Sequence, residues 1–295
     1  PSRMAEVLNR VIEKAIRGSA PAQINVPRDY WTQVIDIELP PIVRFERQGG
    51  GQDAIQRAAK MLSDAKFPVI LSGAGVVIGD AINECKALAE KLDAPVCNGY
   101  QHNDSFPGSH PLAVGPLGYN GSKAAMQLIS KADVVLALGT RLNPFSTLPG
   151  YGIDYWPKNA NIIQVDMNPD RIGLTKKVTV GIAGDAKQVA KQILDKLASN
   201  AGDSGREDRK NLIHQTKSAW LQTLTSLDHE DDDPGTVWNK EARERDKDRM
   251  SPRQAWRAIQ AAMPEDAIIS SDIGNNCAIG NAYPTFEKPR KYLAP

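Results

Sequence analysis

Three glycines spaced Gly73-x-Gly75-x-x-x-Gly79 follow an apolar run and precede a helical pattern. That is where a phosphate can approach bare backbone N–H groups at a helix start. The spacing departs from GxGxxG, so tight-turn glycines with no ligand explain it as well as a nucleotide does. Two further strand ends are polar, Gly139-Thr140-Arg141 and Asp166-Met167-Asn168-Pro169. At the carboxyl ends of parallel strands, such groups either hold a ribose or phosphate or cap the helices that follow. Asn98 to His110 gathers Tyr100, Gln101, His102, Asn103, Asp104 and His110. Histidines this far apart lack the close ligand spacing of a metal site. A loop facing an active site or a plain surface loop remains. No GxSxG, P-loop or HExxH motif is present.

The elements that must position these groups alternate. Helical spacing at Ile55, Ala58, Ala59 and Leu62 leads to the apolar strand Val69-Ile70-Leu71. A helix through Ile82, Cys85, Leu88, Ala89 and Leu92 precedes a short strand at Pro95-Val96-Cys97, and Asn98 to Gly121 reads as one long loop. A helix over Ala124 to Ser130 is followed by strands at Asp133 to Leu138, Asn161 to Val165 and Val178 to Ile182, then a helix from Ala186 to Leu197. Strands that are apolar throughout, alternating with helices, predict an α/β domain built on a doubly wound parallel sheet. Upstream, Met4, Val7, Leu8, Val11, Ile12 and Ala15 predict an amphipathic helix, Ala22 to Val26 a strand stopped by Pro27, and Arg28 to Gly51 a linker. Downstream, residues 201–249 read as a solvated connector with some helix, carrying the acidic run Glu230-Asp231-Asp232-Asp233 and mixed charge over Lys240 to Arg249. A new rhythm starts at Ser251-Pro252, with a helix through Ala255, Ile259 and Met263, a strand Ala267 to Ser270, and a loop Ser271 to Asn276.

Hydrophobic residues at 41% and charged residues at 24% give the balance of a globular protein. The 36 basic and 35 acidic side chains leave a net charge of +1, so no basic field attracts nucleic acid. The apolar stretch Phe67 to Gly79 falls short of the ~20 residues of a membrane span. Cys85, Cys97 and Cys277 lack CxxC spacing and suit buried thiols in a reducing, cytoplasmic setting. Opening on Pro1-Ser2-Arg3 and directly on a helical pattern, the sequence reads as part of a longer chain.

The order of segments carries a resemblance. Pro21 to Asp29, Pro68 to Gly75, Ala132 to Arg141, Ile163 to Asp166, Gly181 to Asp185 and Ser271 to Asn276 resemble, in sequence, landmarks of thiamine-diphosphate (ThDP) enzymes such as acetolactate synthase. The resemblance implies four parts: residues 1–50 as the end of a pyrimidine-binding domain plus linker, 51–200 as the central domain, 201–249 as a connector, and 250–295 as the start of a diphosphate-binding domain. The strings Trp31 to Pro40, Gly115 to Gly121, Leu148 to Trp156 and Asn275 to Tyr283 are similar to an acetyltransferase branch of that family.

That branch implies conversion of sulfoacetaldehyde and phosphate to acetyl phosphate and sulfite, with ThDP supplying the carbanion chemistry and Mg²⁺ bridging its diphosphate. It also implies a homodimer or homotetramer. Ile273, Gly274, Asn275 and Asn276 map to the family loop that contacts the diphosphate, with the two asparagines standing where relatives have Gln-His. The activating Glu and the Mg²⁺ ligands are expected outside residues 1–295, so the chain by itself is expected to be inactive. Arg141 and His102 are the candidates for the sulfonate, by charge and loop position. FAD is not expected, because Thr140 to Phe145 departs from the acidic pair and Arg of the flavin-binding relatives. Two other readings stay open: a carboligase acting on pyruvate, and a central domain serving as a structural and oligomerisation spacer without its own ligand.

Overall fold

Val69, Ile70, Leu71, Val135, Leu136 and Ala137 have no solvent exposure, which requires cover on both faces of the strands that carry them. The computed structural model supplies that cover; it describes residues 1–18, 20–42, 44–226 and 250–294. By their internal contacts the residues fall into two units, Pro1–Gln48 and Gly49–Pro295.

In the second unit six strands form one parallel sheet in the order β3-β2-β1-β4-β5-β6. They are β1 (Pro68–Ser72), β2 (Val96–Asn98), β3 (Ala113–Pro116), β4 (Val134–Leu138), β5 (Asn161–Asp166) and β6 (Val180–Ala183). The order reverses between β1 and β4, which pair from Pro68 with Val134 to Ser72 with Leu138. Helices α2 (Gln52–Asp64), α3 (Ala74–Ile78), α4 (Ile82–Leu92), α5 (Lys123–Ile129) and α6 (Ala186–Lys196) connect and flank the strands. Apolar residues at helical spacing are what bury: Ile55, Ala58, Ala59 and Leu62 of α2, and Cys85, Leu88, Ala89 and Leu92 of α4. Asp185 caps α6, accepting from the Lys187 and Gln188 N–H groups at 3.1 Å each. The doubly wound α/β class read from the pattern is therefore the observed one.

Two local expectations fail. The predicted loop from Asn98 to Gly121 contains the edge strand β3, parallel to β2; Gly115 and Pro116 disguise it, and an edge position is where a sheet tolerates both. Ala22 to Val26 forms no strand among the described residues, because a strand exists only as a pairing and no neighbouring segment hydrogen-bonds to it there. The first unit instead consists of α1 (Met4–Gly18), a 3₁₀ turn at Arg28–Thr32 and irregular chain, with the Arg17 guanidinium 4.9 Å from the Phe45 ring centroid.

The connector begins with a 21-residue helix, α7 (Arg206–Ser226), which packs beside α5. Its anchor is Arg209, 1% exposed. The guanidinium donates to five carbonyls: Lys66 (2.6 Å), Ser204 (2.8 Å), Leu92 (2.8 Å), Gly202 (2.5 Å) and Asp93 (3.0 Å). These include carbonyls left open at the end of α4, where Asp93 turns left-handed with φ of 45°. The acidic run Glu230 to Asp233 and the charges over Lys240 to Arg249 lie outside the described residues. Beyond them come α8 (Pro252–Ala262), closed at its start by a Ser251–Gln254 capping box, then α9 (Asn275–Ala282) and a two-strand parallel ladder of β7 (Ile269–Ser270) with β8 (Tyr292–Leu293). Cys85, Cys97 and Cys277 are all buried and unbridged.

Candidate functional site

The glycines after β1 sit at the strand-order reversal and mesh with the end of β4. A Cβ on Gly75 would lie 2.6 Å from Gly139 Cα, and one on Gly139, at φ of 62°, 2.7 Å from Gly75 Cα. Three of the backbone donors are already committed: Gly73 N–H to Leu138 O (3.1 Å), Gly75 N–H to Gly139 O (2.8 Å), Val76 N–H to Gly73 O (3.0 Å). Of the two readings of this motif, close backbone packing is the one the geometry realises. The β5 end is likewise self-contained. Asp166 accepts from Asn168 N–H at 2.9 Å and Asn168 from Asp170 N–H at 3.0 Å, so both carboxyl-end groups cap their own turn. Gln164, 1% exposed, joins the neighbouring loops by donating to Thr140 O and Arg171 O and accepting from Gly173 N–H.

His102 and Arg141, from the β2 and β4 ends, are electrostatic neighbours. Burial, followed by repulsion from Arg141, pushes the His102 imidazole down to about 4. His102 is thus neutral at physiological pH beside an exposed, permanently charged guanidinium. Asp166 also feels Arg141, but burial dominates and raises its carboxyl above the usual range.

Ile273, Gly274, Asn275 and Asn276 stand at the start of α9, all exposed. Gly274, at φ of 130°, has open space where a Cβ would project. The first helical bonds are Cys277 and Ala278 N–H to Gly274 O, at 3.2 and 3.5 Å, so the Asn275 and Asn276 N–H groups precede the ladder. An uncapped, open helix start with two added amides fits a phosphate group. Among the described residues, no cluster of three or more His, Cys, Asp or Glu side chains is arranged for a metal. No described helix is long and apolar enough to cross a membrane.

The polar loop after β2 faces the C-terminal segment. Tyr100 hydroxyl lies 3.6 Å from Cys277 Sγ, and Gln101 Nε2 also contacts that sulfur. Asn103 Nδ2 donates to the Asn281 and Pro284 carbonyls, both at 2.9 Å, and Asp104 accepts from Lys291 N–H at 3.0 Å. Burial raises the Asp104 carboxyl against the pull of those backbone donors. Asn281 was invisible as a site residue in the sequence; a lone Asn late in a short helix carries no motif.

Six parallel strands wound in both directions from one reversal, with polar loops at their carboxyl ends, define an α/β domain of nucleotide-binding type. Residues 55–193 match the family model described as thiamine pyrophosphate enzyme, central domain. All 295 residues align at 79% identity with half of a probable sulfoacetaldehyde acetyltransferase from Rhizobium meliloti. They align at 75% with 49% of the length of a sulfoacetaldehyde acetyltransferase from Roseovarius nubinhibens, and at 68% with half of one from Rhodobacter capsulatus. The chain therefore spans about half the length of the curated relatives it matches.

Proposed function

We propose that this chain serves a ThDP- and Mg²⁺-dependent acetyltransferase that converts sulfoacetaldehyde and phosphate to acetyl phosphate and sulfite, as a cytoplasmic homodimer or homotetramer. The observation that carries the proposal is the 79% identity, over every residue of the chain, to a relative bearing that name. In this reading, residues 1–50 end the pyrimidine-binding domain, 51–200 form the central domain, 201–249 connect, and 250–295 open the diphosphate-binding domain. ThDP, when bound, supplies the carbanion chemistry. Gly274 would let the diphosphate approach the backbone, the Asn275 and Asn276 amides would donate to its oxygens, and the N-terminal end of α9 would favour its charge. Arg141 would pair with the substrate sulfonate while neutral His102 donates without adding charge. Supplied with sulfoacetaldehyde, ThDP, Mg²⁺ and phosphate, the full-length protein is expected to release sulfite and acetyl phosphate in equal amounts. Acetolactate from pyruvate, with no sulfite, would move the assignment to a carboligase.

For residues 51–200 taken alone, a second reading has its own support: they act as a spacer holding no nucleotide. The committed donors at Gly73, Gly75 and Val76 favour it. Titration with ADP and with FAD in a calorimeter is expected to give no heat; tight binding of either would remove the spacer role.

A further inference from the structure

Asn281 is the most deeply buried polar side chain of the C-terminal segment, with no solvent exposure. Its Oδ1 accepts from Gln101 N–H at 2.7 Å, and its Nδ2 donates to Tyr119 O at 3.0 Å. Its own carbonyl accepts from Asn103 Nδ2 at 2.9 Å. Both ends of one short amide therefore engage main-chain atoms of the chain between β2 and α5, Gln101 just after β2 and Tyr119 just after β3, so each contact lies close to a strand of the sheet. Burying an amide costs least when its donor and acceptor are both satisfied, and then it fixes one geometry where an apolar residue would allow several. Further ties run alongside: Asn103 Nδ2 to Pro284 O (2.9 Å), Gly108 N–H to Phe286 O (2.9 Å) and Asp104 to Lys291 N–H (3.0 Å). Next to it Gly280 leaves room for Tyr292, whose hydroxyl would lie 2.5 Å from a Cβ there.

The helix so held is α9, whose first turn presents Asn275 and Asn276 roughly 9 Å away along the axis. An eight-residue helix has little stability of its own, so its direction is set by what it docks on. We infer that Asn281 is a positioning residue for the cofactor. It registers α9 against the central domain so that the first turn meets the diphosphate, with Asn103 as the supporting clamp. This rests on the proposed ThDP reading and assigns to the β2–α5 loop a role in cofactor affinity.

The test uses the full-length protein. ThDP affinity is measured by calorimetry with Mg²⁺ present, and hydrogen exchange is followed over 275–282. Asn281→Asp keeps the acceptor for Gln101 N–H but turns an oxygen toward Tyr119 O, and is expected to weaken ThDP about tenfold. The α9 amides should exchange faster while β1 and β4 stay protected, and the apparent KM for ThDP should rise by more than kcat falls. Asn103→Ala, which leaves Asn281 in place, is expected to weaken binding about threefold and decides the matter if the first variant does not fold. A purely structural Asn281 would lower the melting temperature and leave ThDP affinity within about twofold; that result in both variants overturns the inference with the cofactor reading intact. A wild-type protein that binds no ThDP removes the cofactor reading and the inference together.

Discussion

His102 is held neutral by its surroundings, and that has a sign. Its proton affinity in the fold, about 4 against an ordinary 6.5, means that below pH 6.5 the unfolded chain takes up a proton the native one refuses. Stability is therefore full above that range and falls as pH drops from 6.5 toward 4, by up to about 3 kcal/mol from this group. Urea midpoints at pH 7 and pH 4.5 should differ less in His102→Gln than in the wild type; equal pH dependence would show that the imidazole is not buried as described. Gly139 is constrained differently. A methyl group there meets Gly75 Cα at 2.7 Å and strains a left-handed backbone, so Gly139→Ala is expected to cost at least about 2 kcal/mol in denaturant unfolding. An unchanged midpoint would mean the β1 and β4 ends do not mesh. The glycine spacing was visible in the sequence, but its two explanations were not separable until the partners of Gly75 N–H could be seen. Arg141 and His102 follow different strands, and only the sheet order makes them neighbours.

Among the elements, α7 shows how a single side chain can outweigh composition. Its sequence is polar on most sides, and hydrophobic spacing alone offers little reason for it to dock. Arg209 does the docking through carbonyls at positions 66, 92, 93, 202 and 204, no two stretches of which a local pattern could connect. Replacing it with Met removes the donors and leaves those carbonyls buried, at an expected cost of about 3 kcal/mol. Hydrogen exchange should then accelerate across 206–226 before the sheet responds. Retained protection there would show that apolar contacts such as the buried Ile213 suffice. The strands β1 and β4 were legible because burial on both faces leaves a nearly uninterrupted apolar run. The edge strand β3 escaped since it needs only one neighbouring strand, and so it can carry Gly115 and Pro116.

At the scale of the whole molecule, segment order was the informative signal. Apolar rhythm leads to a doubly wound sheet and no further; the chemistry came from strings such as Asn275 to Tyr283, which resemble a family without forming a generic motif. The physics of the α9 start agrees with a diphosphate, yet exposed amides and an open glycine occur at many helix ends, so the residues alone could not have chosen that ligand. What ties the molecule together for any such role is the seam where the β2–α5 loop meets the C-terminal segment. The three buried thiols turn this organisation into a stopwatch. Burial pushes the Cys85 thiol up to about 12 and the Cys97 thiol higher still, so a disulfide dye such as Ellman's reagent reaches them only when the sheet itself comes apart. Cys277 lies in the seam against Tyr100 and Gln101, and is expected to colour first, at a rate set by local parting rather than global unfolding. One labelling trace should therefore separate into a single early thiol and a late pair, timing the opening of the seam against the life of the core.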